Sequence, residues 1–249
     1  MIEFFNNIFN KKRIALVGPS PHLNGKGMGK FFDSFDYIIR INEVVPNFLS
    51  EDYGSRNDIV FLSIPNNSIE LYKNTFEIYK NEVSNVKYFI SPRNSLHVTP
   101  YHLGNFIEDN NIFNNFEELN INHELFHIGN DENNKIESEI GTHPSTGTLT
   151  LGYLSQFKFK SLFVAGFSFY MKRKRYHKTK AKIYDSHFDN INSKKSGHDT
   201  LKEIEYLSKI YSKNNNAEGD NWFTQIVKNK NYKTKNGVPI APIKLRLFD

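Results

Sequence analysis

The chain has 249 residues, a formal net charge of +5 and no cysteine, with 38% hydrophobic and 14% aromatic residues. This apolar content supports a packed core and argues against disorder, and the length suits one large α/β domain or two small ones. The lack of cysteine excludes disulfide bonds, cysteine metal ligands and a cysteine nucleophile. The positive charge fits an anionic ligand, an anionic membrane surface or nucleic acid.

The first 13 residues combine apolar side chains with a basic end. Their charges follow the apolar part, which is not the order of a signal peptide. No stretch of the chain approaches the length of a membrane-spanning helix. We expect residues 1–13 to dock on the folded domain, with a helix lying at a membrane interface as the alternative.

A continuous apolar strand is predicted at residues 14–17, and it runs into a glycine-rich loop that extends to Lys30. A strand followed by such a loop is where nucleotide phosphates bind in α/β folds. The glycine spacing matches neither a Walker motif nor a dinucleotide fingerprint. A flexible turn without a ligand is therefore the alternative for this loop.

A second strand, Tyr37 to Asn42, ends in a polar side chain. Asn42 is well placed there to bind a ligand at the edge of a parallel sheet, and an asparagine in a turn is the alternative. The following pattern predicts a turn at 52–58, strands at 59–63 and 86–90, and one helix at 69–83.

Residues 100–139 are polar and rich in asparagine, and their elements are the hardest to assign. A helix is expected at 102–110 and a strand near 125–128.

The stretch from Thr142 to Leu154 is a hydroxyl-rich turn followed by an apolar segment with helical spacing. Ser145 or Thr146 is the expected N-cap. The amides of a first helical turn lack intrahelical partners and readily bind an anion. A simple capping turn is the alternative. A buried strand is predicted next, at 161–167.

A run of Lys and Arg from Lys172 to Lys180 predicts an exposed, mobile loop, which we extend to residues 171–186. It is followed by His187, and an amphipathic helix is predicted from Gly197 to Leu207. The chain has no internal repeat and no clear domain boundary. Alternating strands and helices favour an α/β fold with a ligand at the sheet edge.

Separated pieces of this sequence together resemble the sialyltransferase family with sialyl motifs, glycosyltransferase family 29. The pieces occur in the family's order between about residues 14 and 207. They are Val17-Gly18-Pro19-Ser20 with Gly25 to Gly29, Asp33-Ser34-Phe35-Asp36, Arg40-Ile41-Asn42, Gly54-Ser55-Arg56-Asn57, Pro144-Ser145-Thr146-Gly147 with Gly166-Phe167, His187-Phe188-Asp189, and His198 with Glu203 five residues on.

The sequence departs from the family pattern at three points. The family usually has asparagine in the first loop, where this chain has Pro19-Ser20, and its disulfide cysteines are missing here. The lack of cysteine suits a bacterial cytoplasm. The His187 motif is also shorter by one aromatic residue.

The resemblance implies a Rossmann-like, GT-A-variant fold: a mostly parallel central sheet flanked by helices in a single domain spanning 1–249. It implies His198 as the general base and His187 as the contact to the leaving phosphate. Glu203 is expected to hold the helix start or orient the base. The resemblance also implies two groups of residues that bind CMP. They are Gly18, Ser20 and Asn42 on one side, and Ser145, Thr146 and Gly147 on the other. The basic loop at 171–186 matches a substrate lid.

The implied reaction moves an acidic nonulosonic sugar, with sialic acid the first choice, from its CMP donor to a glycan hydroxyl. The acceptor is expected in a bacterial capsule or lipooligosaccharide, and the enzyme in the cytoplasm, peripheral at the inner membrane. No Asp-x-Asp sequence occurs in the chain, so no metal or other cofactor is expected. The alternatives are a CMP-Kdo-type transferase on the same frame, a non-catalytic nucleic-acid or anionic-surface binder, and a membrane-bound scaffold.

Overall fold

A computed structural model describes residues 2–63, 69–92, 112–169, 198–235 and 238–240. The helix expected at 102–110, the basic loop and His187 lie outside the described residues, and their assignments stay predictions.

The sheet contains seven strands: β1 Arg13–Val17, β2 Tyr37–Ile41, β3 Ile59–Phe61, β4 Tyr88–Ser91, β5 Leu125–His127, β6 Ser161–Ala165 and β7 Ala217–Gly219. Their order across the sheet is β5-β4-β3-β2-β1-β6-β7, and every pairing is parallel. The predicted α/β fold with a mostly parallel sheet is confirmed. A separate antiparallel hairpin pairs β8 Lys233–Lys235 with β9 Val238–Ile240.

The direction of winding reverses between β1 and β6. The chain runs outward from β1 to β5, then returns to place β6 on the other side of β1. In open parallel sheets, ligands bind outside the carboxyl ends of the strands at such a reversal. Val17 and Ala165 are paired at the carboxyl ends of β1 and β6, so this position is a candidate binding crevice.

The helices are α1 Ile2–Phe9, α2 Gly29–Asp33, α3 Ser50–Tyr53, α4 Ile69–Ile78, α5 Lys80–Ser84, α6 Ile112–Glu117, α7 Asn130–Ile140, α8 Thr146–Leu154, α9 Thr200–Tyr211 and α10 Asn221–Phe223. The prediction of one helix over 69–83 is wrong, because two helices meet there at Tyr79. The predicted turn at 52–58 begins inside α3.

The N-terminal helix α1 packs on the body of the protein. Phe5 and Phe9 are buried, and the ring centroid of Phe9 lies 5.4 Å from that of Phe157. Phe4 is 40% exposed, and its ring stacks 5.7 Å from that of Phe126. The apolar face of α1 therefore contributes to the core. Within the described residues, none of the helices has both the length and the apolar character needed to cross a bilayer.

Helix α8 is surrounded by other elements. Seven of its residues, together with Gly152, have buried positions, three of them threonines, so the helix is buried on every side. Tyr211 of α9 donates a hydrogen bond from its hydroxyl to the carbonyl of Leu151, at 2.6 Å. Burial raises the pKa of Tyr211 far above its ordinary value, so this hydroxyl remains a donor.

We expect Tyr211→Phe to lower the free energy of unfolding by about 1 kcal/mol, the usual net contribution of one hydrogen bond. Urea denaturation measures this change. Tyr88→Phe is the matched control, since Tyr88 is half-buried and has no hydroxyl hydrogen bond among the described residues. Equal stability of the Tyr211 variant and the wild type would contradict a stabilising role for the hydroxyl.

Candidate active site

The carboxyl ends of β1 and β6 approach each other through two glycines. The amide of Gly18 donates to the carbonyl of Ala165 at 2.8 Å. A Cβ atom on Gly18 would lie 2.6 Å from the carbonyl oxygen of Gly166, and Gly166 itself has a φ of +75°. Only glycine fits this close approach, so the two buried backbone segments lie in direct contact at the reversal point of the sheet.

The ring of Phe167 brings two of the predicted motifs together. A Cβ atom on Gly18 would lie 3.0 Å from one edge of this ring, and one on Gly147 would lie 2.7 Å from another. The loop after β1 and the start of α8 therefore meet at Phe167. Both glycines have a packing reason for being glycine, while their predicted contacts to CMP stay predictions.

The turn before α8 is capped by Ser145, as one of the two sequence alternatives proposed. Its Oγ accepts a hydrogen bond from the amide of Thr148 at 3.3 Å. Thr146 is the first residue of the helix, followed by Gly147. The first amides of a helix have no intrahelical acceptor and carry its positive dipole end. This turn can therefore stabilise a negative charge.

A buried carboxylate already occupies one side of this turn. Glu203, 3% exposed, accepts hydrogen bonds from the amide of Ser145 at 3.2 Å and from its hydroxyl at 2.7 Å. The hydroxyl of Thr148 also donates to Glu203. Glu203 thus holds the start of a helix, but that helix is α8 and not its own. The hydroxyl of Ser145 is engaged inside the protein, so its predicted nucleotide contact stays a prediction.

The start of α9 is capped by a different residue. Oδ1 of Asp199 accepts from the amides of Leu201 and Lys202, at 3.1 and 3.2 Å. Its neighbour His198 therefore sits directly before a fixed helix terminus.

His198 has a defined orientation. Its Nδ1 lies 2.7 Å from the carbonyl oxygen of His143, and since a carbonyl can only accept, Nδ1 carries the hydrogen. In the neutral ring, Nε2 is then the atom that carries the lone pair. The two imidazole rings stack with centroids 5.3 Å apart. In this tautomer, Nε2 is the ring atom that can act as a base.

Two carboxylates lie near this histidine pair. Oε1 of Glu203 is 3.7 Å from Nδ1 of His198, and Oε1 of Glu137 is 3.2 Å from Nδ1 of His143. Both glutamates are buried. A negative charge this close favours an imidazolium over a neutral ring, so the surroundings suit a histidine that gains a proton during a reaction.

Asn42 is held rigidly at the end of β2. Its φ is 61°, in the left-handed region, and its amide donates to the carbonyl of Phe61 at 2.7 Å. Its Oδ1 accepts from the amide of Ser63 at 3.1 Å. The side-chain NH₂ has no acceptor among the described residues, and the ligand contact predicted for Asn42 stays a prediction.

Several residues of the first motif group bind the protein's own backbone. Asp33 accepts from the amide of Ser55 at 2.9 Å, and Asn57 accepts from the amide of Val45 at 2.7 Å. Arg40 is buried and donates to the carbonyl of Arg56 at 2.6 Å. These residue types are needed to build the loops around the crevice.

Sequence reasoning missed two sets of polar residues beside the site. One is the pair His143 and Glu137. The other is the pair His22 and Asp220, which is joined to the predicted Ser20: Ser20 Oγ lies 2.9 Å from His22 Nδ1, and His22 Nε2 lies 2.7 Å from Asp220 Oδ2. A local signal existed for Asp220 alone, because an aspartate before Asn221-Trp222-Phe223 is a typical N-cap.

Residues 9–215 match the sequence model of glycosyltransferase family 29 (sialyltransferase). The chain belongs to this family. It is therefore a glycosyltransferase of the sialyltransferase type that uses a CMP-linked sugar donor. Among curated protein sequences, none matches the chain.

Two solved structures from Campylobacter jejuni have a similar fold. The sialyltransferase CstII, in complex with the substrate analogue CMP-3FNeuAc, is 18% identical, with 94% of this chain and 96% of that chain covered and a TM-score of 0.51. The apo α-2,3-sialyltransferase is 15% identical, with 87% of this chain and 79% of that chain covered and a TM-score of 0.51. Both likenesses support the Rossmann-like assignment of the sheet.

Proposed function

We propose that this enzyme transfers sialic acid from CMP-sialic acid to a glycan hydroxyl, with Nε2 of His198 as the general base. One observation carries the proposal: Nδ1 of His198 donates to the carbonyl of His143 at 2.7 Å, which places the lone pair of the neutral ring on Nε2, the atom that takes the proton. General bases in enzymes are most often histidines oriented in this way.

In the proposed step, Nε2 of His198 removes the proton of the acceptor hydroxyl. The acceptor oxygen forms a bond to the anomeric carbon of the sugar, and the bond from that carbon to the phosphate oxygen breaks. CMP leaves with the electron pair of that bond. The carboxylate of Glu203, 3.7 Å from Nδ1, stabilises the imidazolium that forms.

The donor nucleotide is assigned to the crevice at the ends of β1, β2 and β6. The amides at the start of α8 favour negative charge, and the NH₂ group of Asn42 offers a further donor at the end of β2. His187 keeps its proposed role as the contact to the leaving phosphate, carried over from the family motif.

We assign no metal to the reaction. Transferases that use nucleoside diphosphate sugars often neutralise the diphosphate with a cation held by paired aspartates. A CMP donor carries a single phosphate, and no Asp-x-Asp sequence occurs in the chain. The positive end of α8 and the proposed contact from His187 supply the stabilisation instead.

The proposed acceptor is a bacterial surface polysaccharide or lipooligosaccharide, reached from the cytoplasmic face of the inner membrane. A bacterial setting is supported by the likeness to the C. jejuni structures and by the lack of cysteine. The formal net charge of +5 would favour an anionic membrane surface.

We expect CMP to raise the melting temperature of the enzyme, while UDP and GDP leave it unchanged, because the crevice is assigned to a cytidine monophosphate. A thermal-shift series at matched concentrations measures this, and turnover should persist in EDTA. Equal stabilisation by UDP would contradict the nucleotide assignment, and loss of turnover on chelation would contradict the metal-free step.

Mass spectrometry of the products formed from CMP-sialic acid and from CMP-Kdo shows which of the two donor sugars the enzyme transfers.

A further inference from the structure

Ser20, His22 and Asp220 form a buried chain of hydrogen bonds beside the ends of β1 and β6. The distances are 2.9 Å from Ser20 Oγ to His22 Nδ1 and 2.7 Å from His22 Nε2 to Asp220 Oδ2. The side chain of His22 has no exposed surface, and that of Asp220 is 4% exposed. The chain joins residues that are 198 positions apart in sequence.

The contacts of Asp220 fix where the protons lie. Its Oδ2 also accepts from the amide of Gly166 at 2.9 Å, and its Oδ1 accepts from the amide of Phe223 at 2.9 Å. Backbone amides can only donate, so both oxygens of this carboxylate act as acceptors, and Oδ2 accepts from His22 as well. Nε2 of His22 therefore carries a hydrogen, and Nδ1 of the neutral ring is an acceptor.

With a neutral His22 ring, Ser20 donates its hydroxyl hydrogen inward, to Nδ1 of His22. A hydroxyl has one hydrogen and two lone pairs, so Ser20 keeps only acceptor capacity for any further contact. Its Oγ has no other partner among the described residues. Such an oxygen repels a phosphate oxygen and suits a hydroxyl or amino group.

The position of Ser20 supports a contact with the nucleotide. Its amide donates to the carbonyl of Gly166 at 3.0 Å, which fixes it beside the backbone at the reversal point of the sheet. The ring of His22 stacks on Trp222 with centroids 5.5 Å apart and an angle of 23° between the planes. The packed imidazole therefore holds the serine in one orientation.

We infer that His22 and Asp220 are positioning residues that present Ser20 as a hydrogen-bond acceptor, so that Ser20 binds a ribose hydroxyl or the cytosine amino group and not the phosphate. This inference rests on the proposed function, in which the crevice binds CMP. The histidine and the aspartate contribute to donor recognition without touching the donor.

The first test observes the protons directly in the unmodified enzyme. Nitrogen-15 NMR of the imidazole side chains, with His22→Gln used to assign the signal, should give the neutral form of His22 with hydrogen on Nε2. A ring that carries hydrogen on Nδ1, alone or as an imidazolium, would overturn the inference. The protonation state is read from the unmodified enzyme, and the His22→Gln variant serves only to assign the signal.

The second test compares the binding of cytidine and CMP by calorimetry. Ser20→Ala should weaken both ligands by the same factor, about three- to tenfold for one hydrogen bond, and Ser84→Ala on α5 is the control. A loss for CMP alone would assign Ser20 to the phosphate and overturn the inference, as would unchanged affinity for both ligands. Failure of CMP to bind the wild type would contradict the proposed function itself, and the inference that rests on it would then be wrong as well.

The third test asks whether His22 acts through Ser20. His22→Leu removes the acceptor for the serine hydrogen, so it should weaken cytidine binding to a similar extent as Ser20→Ala. Combining the two changes should add little, because both remove the same contact. Additive losses would indicate a separate structural effect of His22 and would overturn its role as a positioning residue.

Discussion

Replacing His198 by alanine is expected to lower the rate of transfer by about 10²–10⁴-fold, the usual effect of removing a general base. CMP affinity should stay nearly unchanged, because the base meets the acceptor hydroxyl and not the nucleotide. The comparison requires kcat with saturating substrates and a separate measurement of CMP binding by calorimetry. A fall in kcat at constant CMP affinity is the signature of a contact made in the transition state.

His127→Ala is the matched control for this variant. His127 is also partly buried, and its Nδ1 lies 2.9 Å from a carbonyl oxygen, that of Ile128. It lies on β5, at the opposite edge of the sheet from β6 and β7. Near wild-type turnover in folded His198→Ala would remove the base assignment, and an equal loss in both variants would show a general structural effect.

The sheet could be predicted because its strands are local signals. The segments that become β1, β2 and β6 are short runs of apolar residues, and in a parallel sheet covered on both faces such runs are buried whole. The cap at Ser145 could also be predicted, since an N-cap side chain accepts a hydrogen bond from an amide within the first turn of its own helix. The position of Asn42 could be predicted as well, because a polar residue that ends an apolar run marks the end of a strand.

The boundaries of the helices were harder to predict. The segment from 69 to 84 has apolar residues at helical spacing throughout, so its pattern does not reveal the break at Tyr79. In residues 112–140, helices α6 and α7 are rich in polar side chains. Their packing against the body stabilises them more than their periodicity does.

The connections between the motifs could not be predicted. Glu203 reaches Ser145 across 58 positions, and Asp220 reaches His22 across 198. Spacing along the chain carries no information on such contacts, because they depend on the order of strands in the sheet. The five-residue spacing of His198 and Glu203 suggested a link within one helix, whereas the glutamate mainly binds the start of α8.

This cross-link leads to the second large effect, which we expect for Glu203→Ala. Three buried donors, the amide and hydroxyl of Ser145 and the hydroxyl of Thr148, lose their acceptor at once. Each buried donor left unsatisfied costs about 1–3 kcal/mol. We therefore expect a total loss of about 3 kcal/mol or more in the free energy of unfolding, as for other buried polar networks. Urea denaturation measures it.

Glu205→Ala is the matched control, since Glu205 is exposed two positions further along the same helix. If Glu203→Ala does not fold, Glu203→Gln keeps the shape and one acceptor oxygen, and it should be destabilised less. Because the start of α8 is assigned to the nucleotide, the glutamine variant should also bind CMP more weakly, unlike His198→Ala. Wild-type stability in both Glu203 variants would show that the carboxylate does not hold the helix start. Unchanged CMP affinity in a destabilised variant would instead separate the start of α8 from the nucleotide.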